Sequence, residues 1–158
     1  MNLRAAREAD AEWIARLWND MIRNTLATFT TDEKSVAEVA TLIATRPGAC
    51  WVAAQDGPVG FVTFGPFRGG PGYAATVEHT VIVDAGAQGG GVGKALIEKA
   101  VLEAAGQGYH IMVAAISSAN PRAVAFHAAL GFSQTAHMPE VGRKAGQWLD
   151  LILMQKTL

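Results

Sequence analysis

The segment VIVDAGAQGGGVGK, residues 81–94, is the most informative part of the chain, and in it an apolar strand runs into a glycine-rich loop. A helical pattern begins at the end of this loop and continues to residue 105. Glycine lets a backbone approach a ligand closely and adopt positive φ angles. The first turn of a helix presents unpaired amides and about half a positive charge. The order of strand, loop and helix therefore predicts a binding site for an anion such as a pyrophosphate.

The spacing of the glycines excludes two common phosphate-binding motifs. A Walker loop ends in Gly-Lys-Ser/Thr, and that ending is missing. The dinucleotide fingerprint requires a glycine where Lys94 stands. The spacing fits Gln-x-x-Gly-x-Gly instead, at Gln88, Gly91 and Gly93. Taken alone, the segment leaves open an ordinary glycine-rich turn in front of a core helix.

A second motif lies further along the chain. Asn120-Pro121 predicts the start of a helix, with asparagine as the N-cap and proline in the first helical position. His127 lies on this helix, which Leu130-Gly131-Phe132 closes. Together with the motif at Gln88, this arrangement resembles the GNAT superfamily of acetyltransferases, in which the glycine loop binds acetyl-CoA. Two motifs at the spacing of one family favour the cofactor site over the simple turn.

The remaining hydrophobic patterns predict how the rest of the chain folds. Strands are predicted at 3–6, 50–55, 59–64, 76–83, 111–116 and 148–155, and helices at 10–22, 35–45, 91–105 and 121–130, with Gly106 as the cap of the third helix. The crossovers through the last two helices imply locally parallel strands. We therefore expect a single α/β domain over residues 1–158, with a central mixed sheet flanked by helices. The resemblance identifies this as the acyl-CoA N-acyltransferase fold of GNAT proteins.

The composition excludes several classes of protein. The 13 basic and 14 acidic residues form no long run, which argues against a nucleic-acid partner and against an anionic membrane surface. Cys50 is the single cysteine, so an intrachain disulfide is impossible and a zinc site has no cysteine cluster. The N-terminus lacks the apolar region of a signal peptide, and no apolar run is long enough to span a membrane. We expect a cytoplasmic protein without a metal.

The likeness is closer to one branch of the superfamily. The segments Thr76–Val83, His110–Ala114, His137–Lys144 and Trp148–Leu151 are similar to phosphinothricin and methionine sulfoximine/sulfone N-acetyltransferases. The likeness covers nearly the whole chain and includes the loop at 24–29. It implies direct acetyl transfer, within a ternary complex, from acetyl-CoA to the α-amino group of a small amino-acid-like substrate. It also implies a homodimer, with the segment 137–146 as the candidate arm between subunits.

Three positions depart from the pattern of that branch. Ile82 stands in place of a tyrosine, Gly90 in place of a basic residue, and Ala145 in place of an aromatic residue. By the resemblance, the change at Gly90 would weaken a contact to phosphate, and the change at Ala145 would alter packing or the rim of the dimer. None of the three removes a group that the chemistry needs.

The resemblance also implies which residues hold the cofactor. The pyrophosphate would lie on the glycine loop and helix start formed by Gln88, Gly89, Gly90, Gly91, Val92, Gly93 and Lys94. The strand residues Val81, Ile82 and Val83 would run beside the pantetheine arm like an added strand. Asn120 would donate to or accept from the same arm, in addition to its role as helix cap.

Glu78 is the candidate general base. A charged residue within a sheet strand is uncommon unless it is paired or functional, and the resemblance places the catalytic glutamate of the family here. An unperturbed glutamate, with a pKa of about 4.3, is a weak base for an ammonium with a pKa of roughly 9 to 10. Three solutions are therefore open: burial raises the pKa of the Glu78 carboxyl, Glu78 lowers the pKa of the amine, or Glu78 acts through a water. A structural ion pair is the alternative.

His127 is the candidate proton donor to the leaving thiolate. It occupies a place where many GNAT enzymes have a tyrosine, and an imidazole with a pKa of about 6.5 donates or accepts at neutral pH. A buried histidine whose hydrogen bonds are satisfied is an equal alternative. The other three histidines are interpreted as structural.

The substrate side is assigned to Phe29, Arg68, Gly72, Tyr73 and Glu78. Arg68 lies in the loop before the catalytic strand, where a guanidinium suits the carboxylate of an amino acid. Phe29 and Tyr73 would form walls of the pocket. A solvated loop arginine is the alternative.

Two other functions remain open at this stage. The first is a GNAT enzyme for another amine, namely a peptide N-terminus, a polyamine or an aminoglycoside. Polyamines and aminoglycosides favour acidic pockets, whereas this chain offers Arg68. The second is a non-catalytic sensor of acyl-CoA, which would be favoured if Glu78 or Asn120 were missing, and both are present.

Overall fold

A computed structural model describes all 158 residues and places every strand in one sheet. The strands are β1 Asn2–Ala5, β2 Cys50–Ala54, β3 Pro58–Pro66, β4 Thr76–Val83, β5 Ile111–Ser117, β6 Ser133–Lys144 and β7 Gln147–Thr157. The helices are α1 Ala11–Asn24, α2 Val36–Thr45, α3 Val92–Gly106 and α4 Pro121–Ala129. The strand order is β1-β2-β3-β4-β5-β7-β6. The sheet is antiparallel except at β4–β5, which confirms the predicted α/β mixed sheet.

Most predicted boundaries hold to within two residues, and β4 has the predicted bounds. The hairpin strand β3 is longer than the predicted strand 59–64 and includes Gly65 and Pro66. The prediction of Gly106 as the cap of α3 was wrong, because Gly106 belongs to the last turn of the helix. The left-handed residue that follows is Gly108, with φ of 86°. The helix α2 begins with a capping box, in which Ser35 and Glu38 each accept a hydrogen bond from the other's backbone amide.

The parallel strands β4 and β5 are paired only over their first residues and then diverge. Their register covers only Thr76–Glu78 against Ile111–Val113, although β4 continues to Val83 and β5 to Ser117. On its other edge β4 remains paired with β3 along its whole length. The facing edges of the two strands beyond Glu78 are therefore free of sheet partners. A cleft opens in the middle of the sheet, at the point where the strand direction changes.

Helices cover both faces of the sheet and make two cores. On one face α3 packs Leu96, Ile97 and Ala100 onto β3 and β4 with Val62 and Val77. On the other face α1 and α2 pack against the sheet in a second cluster that contains Ile14, Val39, Phe61 and Ile82. Residues of β4 alternate between these clusters, and Glu78 shares the parity of Ile82. Glu78 therefore faces the side of α1, away from the α3 core.

The C-terminal segment forms an antiparallel hairpin of β6 and β7. Ala145 and Gly146 connect the strands, both with positive φ, which is the conformation of a tight hairpin turn. The segment 137–146 is thus the second part of the edge strand β6 and its turn, with an irregularity in the register between Met138 and Gly142. None of the helices has the length and apolar character needed to cross a membrane.

Candidate active site

The cleft between β4 and β5 widens into a cavity of about 940 Å³. One end is lined by the loop 87–94 and the first turns of α3 and α4, and the other by α1 and the segment 27–34. Glu78 and Thr80 of β4 also line the cavity. The cavity has the size of a site for a cofactor and a small second molecule.

The glycine loop leaves a row of amides without protein partners. No backbone hydrogen bond starts from an amide of residues 89–94, and the first bond of α3 is from Ala95 to the carbonyl of Gly91. Gly89 and Gly91 adopt φ of 83° and 79°, a conformation that favours glycine. The side chain of Gln88 donates to the carbonyl of Val83 at 3.4 Å, which ties the loop to the end of β4. These unpaired donors fit a pyrophosphate.

Most of the predicted cofactor residues border the cavity together. The lining includes Val81, Val83, Gln88, Gly89, Gly91, Val92, Gly93, Lys94 and Asn120. Ile82 and Gly90 are outside it. The side chain of Ile82 is on the same face of the sheet as that of Glu78, but it packs in the α1–α2 core and is not part of the cavity lining.

Asn120 has the backbone position of an N-cap, but its side chain makes no capping hydrogen bond. The expected capping role of the side chain was therefore wrong. The amide is instead left at the cavity wall without a protein partner. This is the arrangement expected of a residue that binds a ligand.

Replacing Asn120 by alanine tests this arrangement. We expect the KM for acetyl-CoA to rise by roughly tenfold, the effect of losing one or two hydrogen bonds to a ligand. The melting temperature should stay within about 2 °C, because no cap bond is lost, whereas loss of a working N-cap costs about 1 kcal/mol. Steady-state kinetics and thermal unfolding measure the two quantities. A marked loss of stability with unchanged KM would assign Asn120 to the helix instead.

The side chain of Glu78 is half-buried, and its carboxyl forms neither an ion pair nor a hydrogen bond with another residue. Burial raises the pKa of its carboxyl above the usual value of a glutamate, with no opposing contribution from a cation. The alternative of a structural ion pair finds no partner in this fold. A desolvated carboxylate at the wall of a cavity is a stronger base than one in water.

His127 is buried at 5% exposure and uses both ring nitrogens. Nδ1 lies 2.7 Å from the carbonyl of Ala123, which only accepts, so Nδ1 carries the proton. Nε2 therefore accepts from Nε2–H of His79 at 3.0 Å. His79 is also buried, and its remaining nitrogen, Nδ1, has no hydrogen-bond partner. Burial lowers the pKa of both rings, that of His79 to about 3, so the pair is neutral.

The end of the cavity at α1 and the segment 27–34, called the amine side below, has an apolar wall. Trp18 and Met21 of α1 and Phe29 of the following loop line it. The ring of Phe29 lies directly on Gly142 of β6, where a Cβ would come within 2.5 Å of the ring. Glycine is therefore required at Gly142 for the loop to lie against the sheet.

Lys144 anchors the same loop. Its side chain is buried at 8% exposure, and Nζ donates to the carbonyls of Thr25 and Thr28, both at 2.9 Å. No carboxylate pairs with it, and burial lowers the pKa of its ammonium. The lysine thus fixes the stretch that carries Phe29 into the cavity wall.

Three of the predicted substrate residues lie away from the cavity. Arg68, Gly72 and Tyr73 are exposed and are not part of its lining in this chain. The guanidinium of Arg68 lies 5.3 Å from the centre of the Tyr73 ring, and Tyr73 contacts Phe67 edge-on. Of the substrate residues predicted from sequence, the structure brings only Phe29 and Glu78 together.

Sequence reasoning missed several residues that line the amine side. Trp18 and Met21 have the spacing of the apolar face of a helix, and this spacing is the same for a core residue and for a residue that lines a cavity. Lys34 lines the cavity as well, and no motif marked it. No group of three or more histidine, cysteine, aspartate or glutamate side chains is placed to hold a metal ion.

The sequence of this chain is similar to those of known acyltransferases and acetyltransferases. Residues 16–132 match the acetyltransferase (GNAT) family. An L-amino acid N-acyltransferase of Escherichia coli is 39% identical, over 100% of this chain and 94% of its own. An L-methionine sulfoximine/L-methionine sulfone acetyltransferase of Salmonella typhimurium is 38% identical, over 100% and 95%.

A solved structure extends the likeness to three dimensions. The phosphinothricin acetyltransferase of Sinorhizobium meliloti, crystallised in complex with acetyl-CoA, superposes with a TM-score of 0.94 at 33% identity. The match covers 99% of this chain and 88% of that one. The resemblance inferred from the sequence segments is confirmed, and so is the fold. The chain belongs to the acetyltransferase (GNAT) family.

Proposed function

We propose that this protein transfers the acetyl group of acetyl-CoA to the α-amino group of a small amino acid of the methionine sulfone, methionine sulfoximine or phosphinothricin type. The observation that carries the proposal is the position of Glu78. It is an unpaired carboxylate that lines the same cavity as the glycine loop with its free amides and the apolar wall of α1. The relatives named above act on amino acids of this type, which supports the choice of substrate.

The residues of the chain divide the work as follows. Amides of 89–94 bind the pyrophosphate, and the free edge of β4 from Val81 to Val83 lies along the pantetheine arm, which Asn120 also holds. Bound acetyl-CoA supplies a thioester whose C–S bond breaks as the C–N bond to the amine forms. Glu78 removes a proton from the substrate ammonium, directly or through a water, so that the nitrogen has a free electron pair. The apolar wall excludes water from the amine side.

The charges of the cavity argue against a polycationic substrate. Glu78 is its only acidic lining residue, whereas Lys34, Lys94 and Arg122 are all basic. A polyamine or an aminoglycoside would bring further positive charge into this surrounding. The decisive assay is release of CoA thiol with acetyl-CoA and a panel of amino acids, polyamines and aminoglycosides. Turnover of a polyamine in preference to every amino acid would refute the proposal.

His127 remains our proposed proton donor to the leaving thiolate. Because both of its ring nitrogens are occupied, donation requires that Nε2 is protonated and turns from His79 to the sulfur. We expect His127→Phe to lower kcat by roughly tenfold or more. The melting temperature should fall by about 2–10 °C, because the N–H of His79 loses its acceptor. If kcat is unchanged at every pH, with the assay run well below the melting temperature, His127 is a packing residue.

A homodimer is also part of the proposal. The hairpin β6–β7 carries three large apolar side chains at the surface, Met138 at 42%, Val141 at 52% and Trp148 at 60% exposure. A closed twofold dimer is the commonest assembly of soluble enzymes. Light scattering should give about twice the chain mass of 16.6 kDa. A monomer with full activity would contradict this part of the proposal. The cytoplasmic location stays a prediction.

A further inference from the structure

Lys34 is a cationic residue of the cavity lining that lies away from the proposed phosphate site of the cofactor. Of the three basic lining residues, Lys94 and Arg122 stand in the first turns of α3 and α4, beside the glycine loop, where phosphate groups of a cofactor belong. Lys94 also lies 3.8 Å from Glu98. Lys34 lines the opposite side, with Trp18 and Met21, and forms no ion pair.

The backbone of Lys34 is held in place from α1. Asn19, which is 9% exposed, donates through Nδ2 to the carbonyl of Lys34 at 2.8 Å. Its Oδ1 accepts from the amide of Lys34, also at 2.8 Å. This two-bond contact joins residues 15 positions apart in the chain. The segment that precedes α2 is thereby fixed to the helix that forms the cavity wall.

The side chain of Lys34 is directed as well. Its Nζ lies 4.6 Å from the centre of the Trp18 ring, and Trp18 lines the cavity too. An ammonium over an aromatic face is oriented by that contact yet keeps its donors free. The result is a fixed cation without a counter-ion on the amine side of the site.

We propose that Lys34 binds the α-carboxylate of the amino-acid substrate and so sets the specificity of the enzyme for free amino acids. The inference rests on the proposed function and specifies its substrate as a carboxylate-bearing amine. A lysine supplies a point charge that a carboxylate neutralises. Glu78 attracts the ammonium of the same substrate. The two opposite charges orient the amino acid with its nitrogen toward the base and its side chain against the apolar wall.

Arg68 is the competing residue for this role. It lies outside the cavity lining, on the ring of Tyr73. Lys34 lies inside it. The two assignments predict opposite results for single substitutions, and this makes them separable by experiment.

The test compares three substrates in the wild type and in Lys34→Gln: methionine sulfone, its carboxamide and its decarboxylated amine. For the wild type we expect the acid to be preferred over both uncharged analogues. In Lys34→Gln the KM for the acid should rise by roughly ten- to a hundredfold, the effect of losing one charge-assisted hydrogen bond. The KM for acetyl-CoA and for the two analogues should change less than about threefold, so the preference for the acid collapses.

Two further variants act as controls. Lys34→Arg keeps the cation and should restore most of the preference for the acid. Lys99→Gln removes another lysine that lies over a tryptophan, since its Nζ is 3.9 Å from the centre of the Trp51 ring. Unlike Lys34 it also pairs with Glu103 at 2.6 Å, and neither Lys99 nor Trp51 lines the cavity. This variant should behave as the wild type does. Thermal unfolding of all variants verifies that each one is folded at the assay temperature.

The possible failures are distinct. If the wild type acetylates no amino acid, the proposed function fails and this assignment fails with it. If the wild type prefers the acid and Lys34→Gln keeps that preference, only the assignment of Lys34 is overturned. A rise in KM confined to Arg68→Ala would return the role to Arg68. Phosphinothricin, which carries an anion in its side chain, is assayed as a fourth substrate. If Lys34→Gln raises the KM for phosphinothricin but not that for methionine sulfone, Lys34 binds the side-chain anion and the α-carboxylate contact is overturned.

Discussion

Glu78→Gln is expected to lower kcat by roughly 100-fold or more, since glutamine keeps the shape of the side chain but accepts no proton. The KM for acetyl-CoA should be unchanged, because the proposed cofactor contacts are to the loop 89–94, the edge of β4 at Val81–Val83 and Asn120, and none is to Glu78. The measurement is steady-state thiol release with methionine sulfone as the amine. Glu12→Gln, an exposed position at the start of α1 outside the cavity, is the matched control. A wild-type rate in Glu78→Gln would remove Glu78 from the mechanism.

The same substitution has a consequence for the pH profile. Burial raises the pKa of Glu78, so the carboxyl takes up its proton at a higher pH than an ordinary glutamate does. Activity of the wild type should therefore decline on the acidic side at a pH above about 4.3, the usual value for this group. In Glu78→Gln the residual rate should lack this acidic limb. An identical limb in both proteins would assign it to another group.

Stability should change in the opposite sense to activity. The folded protein holds the proton of Glu78 more tightly than the unfolded chain does, so the free energy of unfolding falls as pH rises through the window between the two pKa values. Above that window the fold carries a desolvated charge without a partner. Removing it in Glu78→Gln should leave the melting temperature at pH 7.5 equal to or above that of the wild type. Low activity combined with undiminished stability is characteristic of a functional residue.

Features that depend on neighbouring residues in the chain could be predicted from the sequence. Strand β4, the glycine loop and α3 follow one another directly, and the sequence pattern shows period two, then glycines, then period near 3.6. The proposed phosphate site consists almost entirely of backbone amides from this one stretch, so a local motif is enough to predict it. Asn120 and Glu78 lie in other segments, were proposed on the resemblance as well as on local patterns, and line the same cavity.

The amine side could not be predicted in the same way, because it is assembled from distant segments. Nearness in sequence to the catalytic strand suggested Arg68, yet its loop folds outward onto Tyr73. Lys34 lies at the cavity, where its backbone is bound by Asn19 of α1 and its ammonium lies over Trp18. Trp18 shows the spacing of a core residue, and a hydrophobic pattern does not distinguish a core from the wall of a cavity. Such contacts become visible only once the helices are packed.

Lys144 is the clearest case of a residue whose role depends on tertiary contacts, and its loss should have a large effect. Its ammonium joins β6 to carbonyls 116 and 119 positions away in the chain. Hydrogen bonds from a charged donor contribute about 1.5–3 kcal/mol each, so Lys144→Met should cost about 2–4 kcal/mol after partial replacement by water. For a chain of this length that lowers the melting temperature by about 5–15 °C. Thermal unfolding at fixed pH measures the loss.

The effect on catalysis separates positioning from mere support of the fold. Without Lys144 the loop that carries Phe29 loses its anchor, so kcat/KM for the amine should fall by roughly tenfold or more at a temperature where the variant is folded. The KM for acetyl-CoA should not change, because the glycine loop is built independently of β6. The matched control is Lys156→Met on the neighbouring strand, whose Nζ donates to the single carbonyl of Leu130 at 3.0 Å, away from the cavity. It should cost less stability and leave the kinetics intact. Equal kinetics in both variants would mean that the loop holds its place by the packing of Phe29 on Gly142 alone.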